Sequence, residues 1–128
     1  MRDASAEARA PGARLRIELR AHGVELDAIY FCPHRPEDGC TCRKPGTALL
    51  ERAAEDLLLD LRSSAVIGDK LLDVETARNA AALGILVRTG YGAEEERRGA
   101  AENLERPDHV ADSLDGAVAW LLAREGLG

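Results

Sequence analysis

The chain has 128 residues, enough to bury one modest core and too few for several domains. Seventeen basic residues against 23 acidic ones give a formal charge of −6, which argues against a nucleic-acid surface. There is no run of ~18 apolar residues for a membrane span, and the N-terminus has no apolar signal-peptide stretch.

Residues 1–14 are polar, Ala-rich and broken by Pro11-Gly12, so a flexible N-terminal segment is expected there, with a single domain over 15–128. Leu15 to His22 reads as a helix that Gly23 stops. Leu26 to Phe31 reads as a strand delivering Cys32. Thr47 caps a second helix reaching Leu58 or Leu59. Its Leu49, Leu50, Ala53, Ala54, Leu57 and Leu58, with Leu61 beyond it, recur at helical spacing and read as a core face. Ala65 to Ile67 is a short apolar strand, and Asp73 to Leu83 a helix ended by Gly84. Ile85 to Arg88 is a further strand, followed by a Gly90-Tyr91-Gly92 loop. Glu94 to Glu105 is a charged, solvated helix or loop. His109 to Ala111 is a short edge strand, and Asp112 or Ser113 caps a last helix through Arg124 with Trp120 packed on the core. Strands alternating with helices make a parallel α/β sheet with flanking helices.

All three cysteines and one of the three histidines fall within eleven positions, as Cys32, His34, Cys40 and Cys42. Three thiolates and an imidazole complete a tetrahedral zinc set with no position left for water, so the site reads as structural. A disulfide fits worse: one cysteine is left over, and C-x-C is too close for a relaxed bridge. Metal-bound reduced thiols without a disulfide framework point to the cytoplasm.

Arg43 and Lys44 follow the last of these ligands directly. Downstream, the strand at 65–67 runs into Gly68-Asp69-Lys70-Leu71-Leu72-Asp73. Open α/β sheets put their ligands at the C-terminal ends of strands. Asp69 and Asp73 therefore read either as a Mg2+-binding pair or as a strand end and a helix cap; spacing leaves both open. Lys44 and Lys70 are the only lysines in an arginine-rich chain, and lysine is a usual point-charge partner for phosphate.

Together, Tyr30-Phe31-Cys32-Pro33-His34, Cys40-Thr41-Cys42-Arg43-Lys44-Pro45-Gly46, Ile67-Gly68-Asp69-Lys70 and Leu86-Val87-Arg88-Thr89-Gly90 resemble the D-glycero-D-manno-heptose 1,7-bisphosphate 7-phosphatases. These belong to the haloacid dehalogenase (HAD) superfamily, in the subgroup shared with histidinol-phosphate phosphatases. The resemblance runs from about Leu15 to near the C-terminus. It implies a parallel Rossmann-like HAD sheet carrying a zinc-binding loop. It also implies a small phosphorylated sugar substrate, Lys44 steadying the nucleophile and the phosphate, and Arg43 reaching a second phosphate. By the same resemblance Asp69 holds Mg2+, Asp73 supports that metal, and Lys70 belongs to the substrate site.

The chain departs from that pattern in one respect. Enzymes of this family open with a strand ending in Asp-x-Asp-Gly-Thr, whose first aspartate is the nucleophile and second the general acid/base. No D-x-D occurs in this sequence. The expectation is a partial domain lacking the first strands, inactive alone, whose missing strands come from a partner or an upstream segment. Loss of members of a catalytic unit is not a fractional loss. Histidinol phosphate or another small phosphomonoester is the alternative substrate. A non-catalytic zinc-stabilised module that binds a partner is the alternative of another class.

Overall fold

In a computed structural model of the chain, residues 13–30, 44–104 and 106–125 are described. The chain divides into two compact units, Met1–Pro33 and His34–Gly128.

In the first unit, helix α1 spans Ala13–Ala21. Gly23, at φ +77°, stops it as expected. The Val24 N–H returns to the Leu19 carbonyl at 2.9 Å and the Gly23 N–H to Arg20 at 3.0 Å, satisfying the last carbonyls. The expected strand over Leu26–Phe31 is not formed at residues 26–30; Phe31 lies outside the described residues. A strand needs a hydrogen-bonded neighbour as well as apolar side chains, and the Leu26 carbonyl here accepts from Arg16 Nη1 at 3.2 Å.

The second unit is built on a parallel sheet of order β1–β2–β3. β1 is Ala65–Gly68, β2 Leu83–Val87 and β3 His109–Ala111. Ala65 pairs with Leu83 and Gly68 with Leu86; Ile85 pairs with His109 and Val87 with Ala111. The helices are α2 (Ala48–Leu57), α3 (Leu71–Asn79), α4 (Gly92–Glu102) and α5 (Leu114–Arg124), with a 3-10 turn at Leu61–Ser63.

Side chains alternate across a strand, so β2 feeds two cores. On one face Ile85 and Val87 pack with Ala111, Ala117, Trp120 and Leu121. On the other Leu86 packs with Leu71, Val74 and Val110. Ile85, Leu86 and Val74 are fully buried, each worth about 1.5–3 kcal/mol over exposure. Trp120 does pack on the core, and its ring stacks on His109 at 4.3 Å and 5°. The Arg124 guanidinium sits 5.4 Å from the Trp120 ring. Ser113 caps α5 by accepting the Gly116 N–H at 3.4 Å. Among the described residues β3 is an edge strand, as expected; β1 is the other edge there, and all four of its residues are only half-buried.

Three details depart from expectation. α3 begins at Leu71 and ends at Asn79, so Gly84 is not its stop. Ala81, at φ +61°, turns the chain, and Gly84 sits inside β2. A methyl at Gly84 would meet the Val74 Cα at 3.2 Å, so the glycine lets α3 lie close on the sheet. α2 has Thr47 at its N-cap without a side-chain cap bond, and it buries no residue fully. Leu58 is 91% exposed at an αL cap. The expected face is half-buried at Leu49, Leu50, Ala53, Ala54 and Leu61 and exposed at Leu57 and Leu58, and the 3-10 turn packs beside it. No helix among the described residues is long and apolar enough to cross a membrane.

Candidate active site

Three parallel strands bring three chain segments to one rim, where β1 hands over to Asp69, β2 to Arg88 and β3 to Asp112. Asp69 is half-buried, and its Oδ2 accepts the Tyr91 N–H at 3.1 Å. Among the described residues its other oxygen has no hydrogen-bond partner, and a hard cation prefers such an oxygen. Asp69 thus fits a magnesium ligand, although the described residues hold no group of three or more metal-ligating side chains.

Asp73 is buried in the first turn of α3. Its Oδ2 accepts the Lys70 N–H at 3.3 Å, capping the helix, and its Oδ1 pairs with the Lys44 ammonium. Of the two readings from spacing, the helix cap is the one these bonds show; the buried carboxylate also meets the charge of Lys44. α3 holds the Lys44-Pro45 segment a second time, because Asn79 Nδ2 donates to the Pro45 carbonyl at 3.1 Å. Lys70 points outward, with its Nζ 5.0 Å from the Tyr91 ring. Lys70 and Tyr91 line a hollow of about 410 Å3 with Glu94, Glu95 and Arg98.

The structure thus brings together Lys44, Asp69, Lys70 and Asp73. Cys32, His34, Cys40, Cys42 and Arg43 lie outside the described residues.

Two participants are hidden in the acidic run at 94–96, which reads from sequence as solvated. Glu95 is only 16% exposed at its side chain, and its Oε1 accepts the Leu71 N–H of α3 at 3.2 Å. Its other oxygen binds Arg98 at 2.7 Å, which raises the Arg98 pKa. Glu96 takes two bonds from Arg88, at 2.9 and 3.1 Å. A charge run shows its composition but not its cross-element partners; the nearby Arg88 is the one sequence signal of a mate.

The Arg88 hydrogen bonds, with its charge adding, hold the Glu96 carboxyl below its ordinary value of 4.5 against the effect of burial; they raise Arg88 in turn. A depressed folded-state value stabilises above the unfolded value, and the gain is lost as pH falls through the folded one. The stability gap between wild type and Glu96→Gln should therefore be widest near neutrality and close in acid. Glu96 is 38% exposed, so screening keeps the gap modest. Urea midpoints at pH ~7 and ~3 check this; a gap of constant size would refute it.

A sequence model of the HAD-hydrolase-like family matches residues 41–117. The chain is 44% identical over 109 residues to a D-glycero-D-manno-heptose-1,7-bisphosphate 7-phosphatase of Thermosynechococcus vestitus, covering 77% of this chain and 55% of that protein. It is 50% identical over 61 residues to the histidine biosynthesis bifunctional protein HisB of Actinobacillus pleuropneumoniae, covering 48% of this chain and 17% of that one. Among solved structures, the D,D-heptose 1.7-bisphosphate phosphatase from B. bronchiseptica complexed with magnesium and phosphate is similar, with a TM-score of 0.77 and 32% identity over 87% of this chain and 60% of that chain. The chain spans little more than half the length of the first of these relatives.

Proposed function

The chain belongs to the HAD-hydrolase-like family, and from that premise we propose that it carries part of the active site of a phosphatase removing the 7-phosphate of D-glycero-D-manno-heptose 1,7-bisphosphate. The observation that supports this most is the gathering of Lys44, Asp69, Lys70 and Asp73 at the carboxyl rim of β1. Similarity to a phosphatase complexed with magnesium and phosphate supports it further.

In this reading Asp69 is a Mg2+ ligand, its carboxylate aimed by the Tyr91 N–H. The ion, when bound, would offset charge on the transferring phosphoryl group. Asp73 supports the metal site from one turn along, by holding the Lys70 N–H and the Lys44 ammonium. Lys44 presents its charge to the phosphate and to the nucleophile, while Arg43 and Lys70 serve the rest of the phosphorylated sugar. Cys32, His34, Cys40 and Cys42 hold a structural zinc that fixes the loop running into Arg43 and Lys44. Thiolates kept reduced in such a site suit the cytoplasm.

Covalent phosphoryl transfer also needs a nucleophile and an acid/base group. With no D-x-D in the 128 residues, these would come from a partner or an upstream segment. The outer side of β1 suits such a strand: among the described residues it is an apolar Ala-Val-Ile-Gly edge, half-buried, with β2 on its other side.

Phosphate release tests the reading. The 128-residue chain with Mg2+ and heptose 1,7-bisphosphate should show no turnover alone, and turnover once a segment bearing Asp-x-Asp-Gly-Thr is supplied. Turnover by the chain alone that disappears in Asp69→Asn would make another carboxylate here the nucleophile and overturn the assignment. Similarity to a histidine-biosynthesis protein favours histidinol phosphate as the second reading. Preference for it in the same assay would replace the first.

A further inference from the structure

We infer that Arg88 is a positioning residue for Asp69, acting through the turn at 89–91. The inference rests on the metal role proposed for Asp69.

Arg88 is bonded in four directions. Its N–H extends the sheet to the Ala111 carbonyl at 2.9 Å, and its carbonyl accepts the Ala93 N–H in the first turn of α4 at 3.2 Å. Its guanidinium grips Glu96 of α4 with two bonds and Asp112, just past β3, with a third at 2.7 Å. A planar fork held by two carboxylates is a fixed object, unlike a single surface pair.

Only Thr89, Gly90 and Tyr91 separate this anchor from α4. The turn closes on itself, because the Gly92 N–H donates to the Thr89 carbonyl at 3.0 Å. Gly90 has φ +59° and passes against the Asp69 carboxylate. With both ends held, the Tyr91 N–H has one place to point, and it points at Asp69 Oδ2. α4 adds a second support, since Glu95, beside Glu96, caps the α3 turn that follows Asp69. If Arg88 let go, α4 would be free to shift, the turn would relax, and the carboxylate would lose its aim. A deviation of about 1 Å at such a group is enough to matter to a reaction.

The chain has two tyrosines, so 15N-tyrosine labelling of the full 128 residues gives two amide signals, and Tyr91→Phe assigns them by removing one. Asp69→Asn marks where the Tyr91 signal moves when its carboxylate acceptor is lost. Arg88→Met should shift Tyr91 away from its wild-type position and speed its hydrogen exchange about tenfold. Arg88→Lys should not restore it, because an ammonium cannot make the fork. If Arg88→Met fails to fold, Glu96→Gln, which keeps shape and loses charge, is read instead and should move Tyr91 the same way. A Tyr91 signal with wild-type position and exchange in the folded variant would reduce Arg88 to a surface ion pair and overturn the inference. Mn2+ added to the wild type tests the metal reading separately. Broadening of Tyr91 without Arg88 dependence keeps the metal and sinks the positioning role. Arg88 dependence without broadening does the reverse.

Discussion

Gly92→Ala should abolish cooperative folding of the unit that carries the site. Gly92 is the buried first residue of α4, and an added methyl would lie on the Val87 carbonyl. That obstacle is backbone of the central strand, so no rotamer change relieves it. Moving it would displace β2 or pull α4 away with Glu95 and Glu96, hence with the Leu71 and Arg88 bonds they hold. Backbone overlap of this kind falls among substitutions costing more than about 4 kcal/mol, against a total near 5–15 kcal/mol for a small domain. Gly116→Ala is the matched control. Its methyl would meet the Ala111 Cβ at 3.6 Å, an ordinary contact at an exposed helical position, and should stabilise by about 0.4–1 kcal/mol. Urea unfolding of both variants decides the matter. A wild-type midpoint for Gly92→Ala would mean that α4 docks differently.

The second large effect is expected at Cys40→Ser. If Cys32, His34, Cys40 and Cys42 share a zinc ion, the purified chain carries about one equivalent of metal and the variant carries essentially none. Binding of a structural zinc in small modules is worth on the order of 10 kcal/mol, and it is coupled to order in the segment that binds. The variant should therefore lose metal and thermal stability together. Because the loop leads directly into Arg43 and Lys44, the Lys44–Asp73 pair should loosen as well. Elemental analysis beside a melting curve checks this. Full zinc content with an unchanged midpoint would rule out the ligand set.

Much of the second unit is legible from residue order because local rules and tertiary demands agree there. β1 and β2 are short apolar runs followed by site residues. His109–Ala111 does form the outer strand, and Ser113 caps α5. Gly23 stops α1 as expected, and it does so at φ +77°. Readings fail where a partner decides. The α2 face is half-buried from Leu49 to Ala54 and exposed at Leu57 and Leu58, because period says that a face exists, not how far along it something packs. Leu26–Tyr30 is apolar enough for a strand, but ladder bonds come from elsewhere in the chain or not at all. Gly84 looks like a helix stop, and is instead a place where a helix backbone comes within reach of a strand. At the site, Asp69, Asp73 and Lys44 are visible as residue types in a suggestive order. Their arrangement depends on Tyr91, Glu95 and Arg88, which act through a main-chain N–H, a remote helix cap and a fork. None of these leaves a mark on local composition.

The stack of His109 on Trp120 has a practical consequence for anyone following this protein in solution. Trp120 is the chain's one indole, and it joins β3 to α5 with an imidazole on its face. Its fluorescence therefore reports a single seam, the docking of the last helix on the β3 edge. Backbone dichroism reports all the helices together. If the two signals change at the same denaturant concentration, the β3 edge separates with the rest of the unit. If the indole changes first, the molecule sheds its C-terminal helix before its central strand lets go, and a single unfolding free energy would describe neither step.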